Sequence, residues 1–258
     1  MVGDGIVHVA VTPPGTSDVN LIKNVAAIVN KDAYETRLLL TGEIPKIIAH
    51  YHDKQAAESI AQRLKDLGLV AFVCRDSELH RPFQSFRAHT LEFGEGEVIF
   101  RDKGCQAKIM KPSDVFMILK GTLQIYAEAE ATRTEMKLRL GATLLMGGIP
   151  VWRKVTEKTK GMPIQTEYFA RLYSRESSEP SVEILQHHMN YSFLGAEMAP
   201  SSLANLNTIV TKIREVFPRA VFDDRLMKLP MADVSLTRVR DDLEVNCKLI
   251  YLYHLATN

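Results

Sequence analysis

The chain has 258 residues, more than the roughly 100–150 of a typical single domain, so two domains are expected. With 46% hydrophobic and 24% charged residues it can bury a sizeable core, which excludes disorder of the whole chain. Its 32 basic and 31 acidic residues give a net charge of +1, so the composition does not favour nucleic acid or an anionic membrane as a partner of the whole molecule.

The first 80 residues predict a small α/β domain, because apolar residues alternate between strand and helix spacing. Asp32 stands three residues before Glu35, a spacing close to that of a capping box, and Gly68 is a candidate helix end. The expected elements are a strand at 6–11, a helix after Ser17 and Asp18, a short helix after Asp32, a strand at 46–51, a helix after Asp53 and a strand at 70–74. This order predicts a three-stranded sheet covered on one face by three helices.

Residues 19–74 contain the segments VNLIKNV, AYETRLLLTGEIPKII and AAESIAQRLKDLGLVAFV. Their apolar spacing, with Pro45 and Gly68, resembles the C-terminal domain of the bacterial ribosomal stalk protein, whose fold the adaptor of the Clp protease shares. The stalk family recruits translation GTPases through a Lys of its first helix and a basic residue of its second. The resemblance therefore implies that Lys23 and Arg37 bind a protein partner.

Residues 84–220 predict a second domain of short antiparallel strands followed by one helix. Strand-like alternation recurs at 88–93, 98–101, 106–110, 115–126, 168–174 and 182–193, with a break at Gly121. Ser201 or Ser202 then caps an amphipathic helix that Pro218 closes. About seven strands and a helix resemble a pleckstrin-homology-like barrel, which the C-terminal helix caps. This resemblance implies a fold that binds either phosphorylated head groups or peptides.

An insertion at 132–160 combines positive charge with apolar residues. Seven basic residues against two acidic ones give it a local excess of +5, and it holds Trp152, the only tryptophan. Long insertions often carry function, which indicates Trp152, Arg153 and Lys154 as partner-binding residues. The alternative is two further strands, joined at Gly147-Gly148 and packed on the barrel.

Residues 221–258 are predicted to form a helical tail. Apolar residues recur there at three and four residues, although alternation from Val245 to Tyr253 also fits a strand. Residues 249–253 are apolar around more than one face of a helix. This surplus predicts a homodimer to which the helix or the loop at 144–152 contributes, or else a helix sandwiched between the two domains.

The histidine pairs are candidate metal ligands. His50 and His52 would share one face of a strand, but a third ligand is not evident. His187 and His188 would point to opposite faces of a strand, one of them inward. Neither pair therefore predicts a metal site.

Other catalytic signals are missing from the sequence. It contains no Gly-x-Ser-x-Gly elbow, no phosphate-cradling loop, no His-Glu-x-x-His and no dinucleotide fingerprint. Asp223-Asp224 and Asp241-Asp242 are expected to be surface carboxylates, since neither has a second acidic cluster beside it. Neither catalytic residues nor a cofactor are predicted.

Cysteine usage and hydropathy bear on the compartment. Cys74, Cys105 and Cys247 are widely spaced and odd in number, which predicts three buried free thiols in a reducing cytoplasm. The chain begins without a basic leader, and no apolar run reaches the roughly 20 residues that span a bilayer.

Together these patterns predict a non-catalytic protein-interaction or regulatory module with an unknown protein partner. Two alternatives stay open. One is a binder of anionic ligands, nucleic acid or head groups, through the basic insertion. The other is a metal-dependent enzyme that uses the histidine pairs.

Overall fold

The computed structural model describes residues 5–126, 132–138, 152–158, 163–227 and 236–258, and side chains within 5–123, 166–227 and 242–258. Helices and strands are mixed along the chain, which confirms the predicted α+β class. No helix in these ranges is both long enough and apolar enough to cross a membrane.

The N-terminal residues form the small sheet that the sequence predicts. Its elements are β1 (Val7–Val11), α1 (Val19–Val29), α2 (Ala33–Leu39), β2 (Lys46–Tyr51), α3 (Lys54–Asp66) and β3 (Ala71–Arg75). β1 lies in the centre and pairs antiparallel with β2 and β3. Val25 of α1 and Leu64 of α3 are buried against Val9 of the sheet, so these helices cover one of its faces.

Aspartate caps determine where these helices begin. The side chains of Asp18, Asp32 and Asp53 each accept backbone N–H groups from the first helical turn, at 2.6–3.1 Å. Asn30, at φ 54°, ends α1 in the left-handed region that Asn tolerates. The predicted starts after these three aspartates are therefore confirmed.

A short helix and a linker lead into the second half of the chain. α4 (Asp76–Leu79) follows β3 directly, and residues 80–85 connect it to β4 (Phe86–Ala88). The later elements are β5 (Thr90–Gly94), β6 (Glu97–Arg101), β7 (Ala107–Met110), β8 (Met117–Tyr126), β9 (Thr132–Leu138), β10 (Trp152–Lys158), β11 (Pro163–Tyr173), β12 (Pro180–Leu185), a 3-10 segment (Tyr191–Glu197), α5 (Ser202–Val216), β13 (Val221–Leu226) and α6 (Leu236–Thr257).

These strands form two sheets and a hairpin. One sheet has the order β13-β8-β11-β12-β4, the other has the order β5-β6-β7, and β9 pairs with β10. The expectation of antiparallel pairing is wrong at two places, because β4 runs parallel to β12 and β13 runs parallel to β8. β13, which the sequence placed in a helical tail, is thus an edge strand. The predicted domain boundaries stay predictions.

α5 covers the core of the second half, as the amphipathic pattern predicts. Leu206, Ile209 and Ile213 are 0% exposed and lie in one cluster with Phe100 and Ile118. The side chain of its N-cap accepts the backbone N–H of a residue in the first turn at 3.5 Å. This helix therefore joins strands of both sheets through a shared core.

Two strand predictions are wrong in detail. Gly121 lies inside a continuous β8, where a Cβ would stand 2.5 Å from Cζ of Phe169. The strand expected at 182–193 ends at Leu185, and a turn and the 3-10 segment follow it. His187 and His188 lie in that turn and are both exposed, so neither points inward.

α6 is a helix, as expected, and lies between the two halves of the chain. On one side Cys247 and Ile250 are buried in a cluster with Met117 of β8. On another side Leu249 is buried with Phe72 of β3. The sandwiched alternative accounts for the apolar surplus of the helix, while the loop at 144–152 lies almost entirely outside the described residues. The homodimer stays a prediction. Because one chain already covers the apolar residues of α6, this helix is no longer an argument for it.

The cysteines are free but not all buried. Cys74 and Cys247 are buried, and burial raises the pKa of both thiols to about 12. Cys105 is exposed in the turn between β6 and β7, at φ 62°, so the expectation of three buried thiols is wrong. The cytoplasmic location stays a prediction.

Candidate functional site

α1 and α2 expose large apolar side chains beside the basic residues that the sequence singled out. Val19 is 66% exposed, Tyr34 73% and Leu38 53%. These are three of the seven large apolar residues exposed in the part of the chain that the structure describes. Lys23 and Arg37 are exposed on the same two helices. We call the surface defined by these five residues the α1–α2 face.

Helical spacing determines which side chains reach this face. Val19 and Lys23 are four residues apart and share one side of α1. Tyr34, Arg37 and Leu38 are three and four residues apart and share one side of α2. On their other sides, α1 buries Val25 and Val29 in a cluster with the sheet, and α2 buries Thr36.

Lys23 and Arg37 carry the unpaired positive charge of the α1–α2 face. Lys31 forms an ion pair with Glu35 one turn later. The ammonium of Lys46 donates to two carbonyl oxygens at the end of α2, at 3.1 and 2.7 Å, and burial lowers its pKa. Among the described residues, the charged groups of Lys23 and Arg37 have no such partner, so both are available to an anionic surface.

The other predicted binding residues lie on the hairpin. Trp152, Arg153 and Lys154 begin β10 and pair with residues of β9, which corresponds to the alternative of two further strands. Their side chains, and the expected joint at Gly147-Gly148, lie outside the described residues. Partner binding by Trp152, Arg153 and Lys154 therefore stays a prediction.

A chain of histidine contacts that the sequence analysis missed crosses the small sheet, from His50 of β2 through His8 of the central β1 to Asp76 of α4. His8, 4% exposed, places Nδ1 2.7 Å from Nδ1 of His50 and Nε2 2.9 Å from Oδ1 of Asp76. His80 reaches the same carboxylate at 3.2 Å. The cross-strand register that sets His8 opposite His50 was the signal that could have revealed this cluster.

Only one proton is shared between the two facing imidazole nitrogens. One Nδ1 must donate and the other must accept, so at least one of the rings of His8 and His50 is neutral. Burial, followed by the charges of His8 and Lys31, lowers the pKa of His50. Within the described residues, no group of three or more His, Cys, Asp and Glu side chains is arranged to hold a metal ion.

A buried arginine joins the five-stranded sheet to α6. Arg171, 5% exposed, donates from Nε and Nη2 to Glu183 at 2.9 and 2.8 Å, and from its two Nη atoms to Glu244 at 2.7 Å each. Burial alone would raise the pKa of Glu183, but the charge and hydrogen bonds of Arg171 outweigh it and hold this pKa below its usual value. Sequence spacing did not reveal this network, because its members are far apart in the chain.

The same network lies at the floor of an open cleft of about 1050 Å³. One wall is the stretch 79–87, which includes the linker between the two halves. The other walls come from residues of β12, β7 and the turn that precedes β7. The sequence analysis treated this linker only as a boundary and assigned no residue of the cleft.

A second buried ion network ties α6 to β13. Asp223 is 5% exposed and not at the surface as expected; it accepts hydrogen bonds from Arg225 at 2.6 Å and from Nε2 of His254 at 2.7 Å. Burial alone would raise the pKa of Asp223, but these hydrogen bonds lower it well below its usual range. Asp224 and Asp242 are exposed, as predicted.

Comparisons with known proteins returned no match to any protein-family model, curated protein or solved structure. The resemblances to the stalk domain and to the pleckstrin-homology-like barrel therefore stay predictions. Function has to be argued from the surfaces themselves.

Proposed function

We propose that the protein is a non-catalytic interaction module that binds a partner protein through the α1–α2 face. The observation that supports this most directly is the exposure of Val19, Tyr34 and Leu38 next to Lys23 and Arg37. Tyr and Arg are enriched at the centres of protein interfaces and dominate their binding energy. Burial of Tyr34 or Leu38 against a partner would contribute about 1.5–3 kcal/mol each.

The charges of this face define the chemistry of the partner. Because Lys23 and Arg37 form no ion pair with a described residue, a segment that carries Asp or Glu beside apolar residues complements them. A second copy of the same chain fits less well. In a symmetric dimer through this face, the same two cations of each copy would lie close to those of the other.

Affinity capture from an extract of the source cell tests the proposal, with variants that keep the fold. Lys23→Glu combined with Arg37→Glu reverses the charge, and Tyr34→Ser combined with Leu38→Ser removes the apolar contacts. We expect each pair to abolish capture of a protein that the wild type retains. Elevated salt should weaken retention, because the contact includes exposed ion pairs.

Ile109→Ser combined with Met198→Ser is the matched control. These residues are 53% and 54% exposed and lie on other elements, so this variant should capture the same partner as the wild type. Recovery of the same proteins by all variants, at equal yield, would rule out the α1–α2 face as the binding surface.

A further inference from the structure

The cleft presents three cations whose hydrogen-bonding capacity is only partly used. Arg87 contacts Glu183 through Nε at 3.1 Å, and Lys108 donates to the carbonyl oxygen of Ser181 at 2.9 Å. The terminal nitrogens of Arg87 and the whole guanidinium of Arg81 have no further partner among the described residues. All three cations line the same cleft.

The carboxylates that line the cleft are already engaged. Glu183 and Glu244 hold Arg171 from two sides. Asp102 accepts the backbone N–H of Gln106 at 2.8 Å, within its own turn. Glu183 and Glu244 are thus paired with cations and Asp102 is hydrogen-bonded, while Arg81 and Arg87 keep donor groups that have no partner among the described residues.

An apolar surface lies beside these donors. Phe83 and Phe86 line the cleft and are half-buried. The guanidinium of Arg171 lies 5.4 Å from the centre of the Phe83 ring, and the ammonium of Lys248 lies 5.8 Å from it. A volume of about 1050 Å³ is at the upper end of the range for small-molecule sites, roughly 300–1,000 Å³.

We infer that this cleft binds a small organic phosphate, independently of the α1–α2 face. The phosphate group contacts Arg81, Arg87 and Lys108, and an aromatic or apolar body packs on Phe83 and Phe86. Three cations lining one cleft suit a dianion better than a carboxylate, and the free end of Arg87 can bind two phosphate oxygens at once. The Arg171 network keeps the floor in place without taking part in the contact.

The test is a titration of the full chain, followed by amide NMR shifts at constant ionic strength, with phenyl phosphate, inorganic phosphate and phenol as probes. We expect phenyl phosphate to shift the amides of residues 81, 83–87 and 108 and to bind about tenfold more tightly than either of the other probes. Lys108→Gln and Arg81→Gln should each weaken phenyl phosphate by about tenfold or more, as loss of a charged hydrogen bond does.

Lys103→Gln is the control, since Lys103 is exposed in the neighbouring turn but does not line the cleft. It should leave the affinity for phenyl phosphate within about twofold of the wild type. That change is much smaller than the tenfold loss expected for Lys108→Gln. Three results would overturn the inference: no saturable shifts in the cleft, phenol binding as tightly as phenyl phosphate, or an equal loss of affinity in Lys103→Gln and Lys108→Gln.

Discussion

The guanidinium of Arg171 and the carboxylate of Glu244 meet in a planar fork, in which two nitrogens donate to two oxygens at 2.7 Å each. Arg171 lies on β11 and Glu244 on α6, so this pair fastens the helix to the five-stranded sheet. Glu183 holds the opposite side of the guanidinium. Arg87 pairs with Glu183 as well, so the two carboxylates of Glu183 and Glu244 face two guanidinium groups.

Arg171→Met is expected to lower the free energy of unfolding by about 3–5 kcal/mol, because it removes the cation that Glu183 and Glu244 share and leaves only Arg87 beside Glu183. Urea unfolding followed by circular dichroism measures the loss. Arg63→Met, at an exposed position of α3, is the control and should stay within about 0.5 kcal/mol of the wild type. A loss below about 1 kcal/mol for Arg171→Met would mean that the network adds little to stability.

Gly121→Ala is expected to destabilise the five-stranded sheet by about 1–3 kcal/mol. The added Cβ would lie 2.5 Å from Cζ of Phe169 and 2.9 Å from Cβ of Leu226, so strand or ring must shift. Gly15→Ala meets nothing within 4 Å and serves as the control. Thermal unfolding of both variants measures this difference. Equal unfolding midpoints would show that the ring of Phe169 moves aside without loss of stability.

Asp223→Asn is expected to lower stability most at neutral pH. The pKa of Asp223 in the folded chain lies below its ordinary value of 3.8, so the stability that its charge provides is present above that value and is lost as the pH falls below it. The difference in urea midpoint between the wild type and Asp223→Asn should therefore be smaller at pH 3 than at pH 7. The exposed neighbour Asp224 provides the control Asp224→Asn, for which we expect no comparable gap at pH 7.

His50→Gln is expected to reduce the loss of stability on mild acidification. Because the pKa of His50 in the folded chain lies below its ordinary value of 6.5, the unfolded chain takes up this proton first. Wild-type stability from this group is thus present above pH 6.5 and lost below it. Urea midpoints at pH 7 and pH 5 should differ less for His50→Gln than for the wild type.

His52→Gln is the control for this experiment, because His52 lies two residues away and outside the chain of contacts between His8, His50 and Asp76. It should keep the pH dependence of the wild type. If both variants behave alike, the contact between His8 and His50 does not set the response to acid.

Local signals were sufficient to predict α1, α2, α3 and the small sheet that they cover. Asp18, Asp32 and Asp53 mark helix starts through hydrogen bonds within a few residues, and such bonds are visible in the sequence as spacing. The exposed positions of Lys23 and Arg37 likewise follow from helical period. These parts of the fold and of the α1–α2 face could therefore be predicted.

Features that depend on distant contacts could not be predicted. The parallel pairing of β4 with β12 joins segments far apart in the chain, and no periodicity reports it. In the sequence, Asp223 resembles an ordinary surface acid. Its hydrogen bond with His254, which lies far along the chain, forms only in the folded structure, where Arg225 also contacts it. The turn after Leu185 displaced the predicted strand because a run of apolar residues does not distinguish a strand from a buried 3-10 segment.

The position of α6 has a consequence for synthesis of the chain. Phe72 in the first sheet and Met117 in the second are covered by residues of this helix, which leave the ribosome after every strand of both sheets. Until α6 docks, the growing polypeptide displays two uncovered apolar sheet faces at once. Exposed apolar surface of this kind makes an incompletely folded chain prone to aggregation.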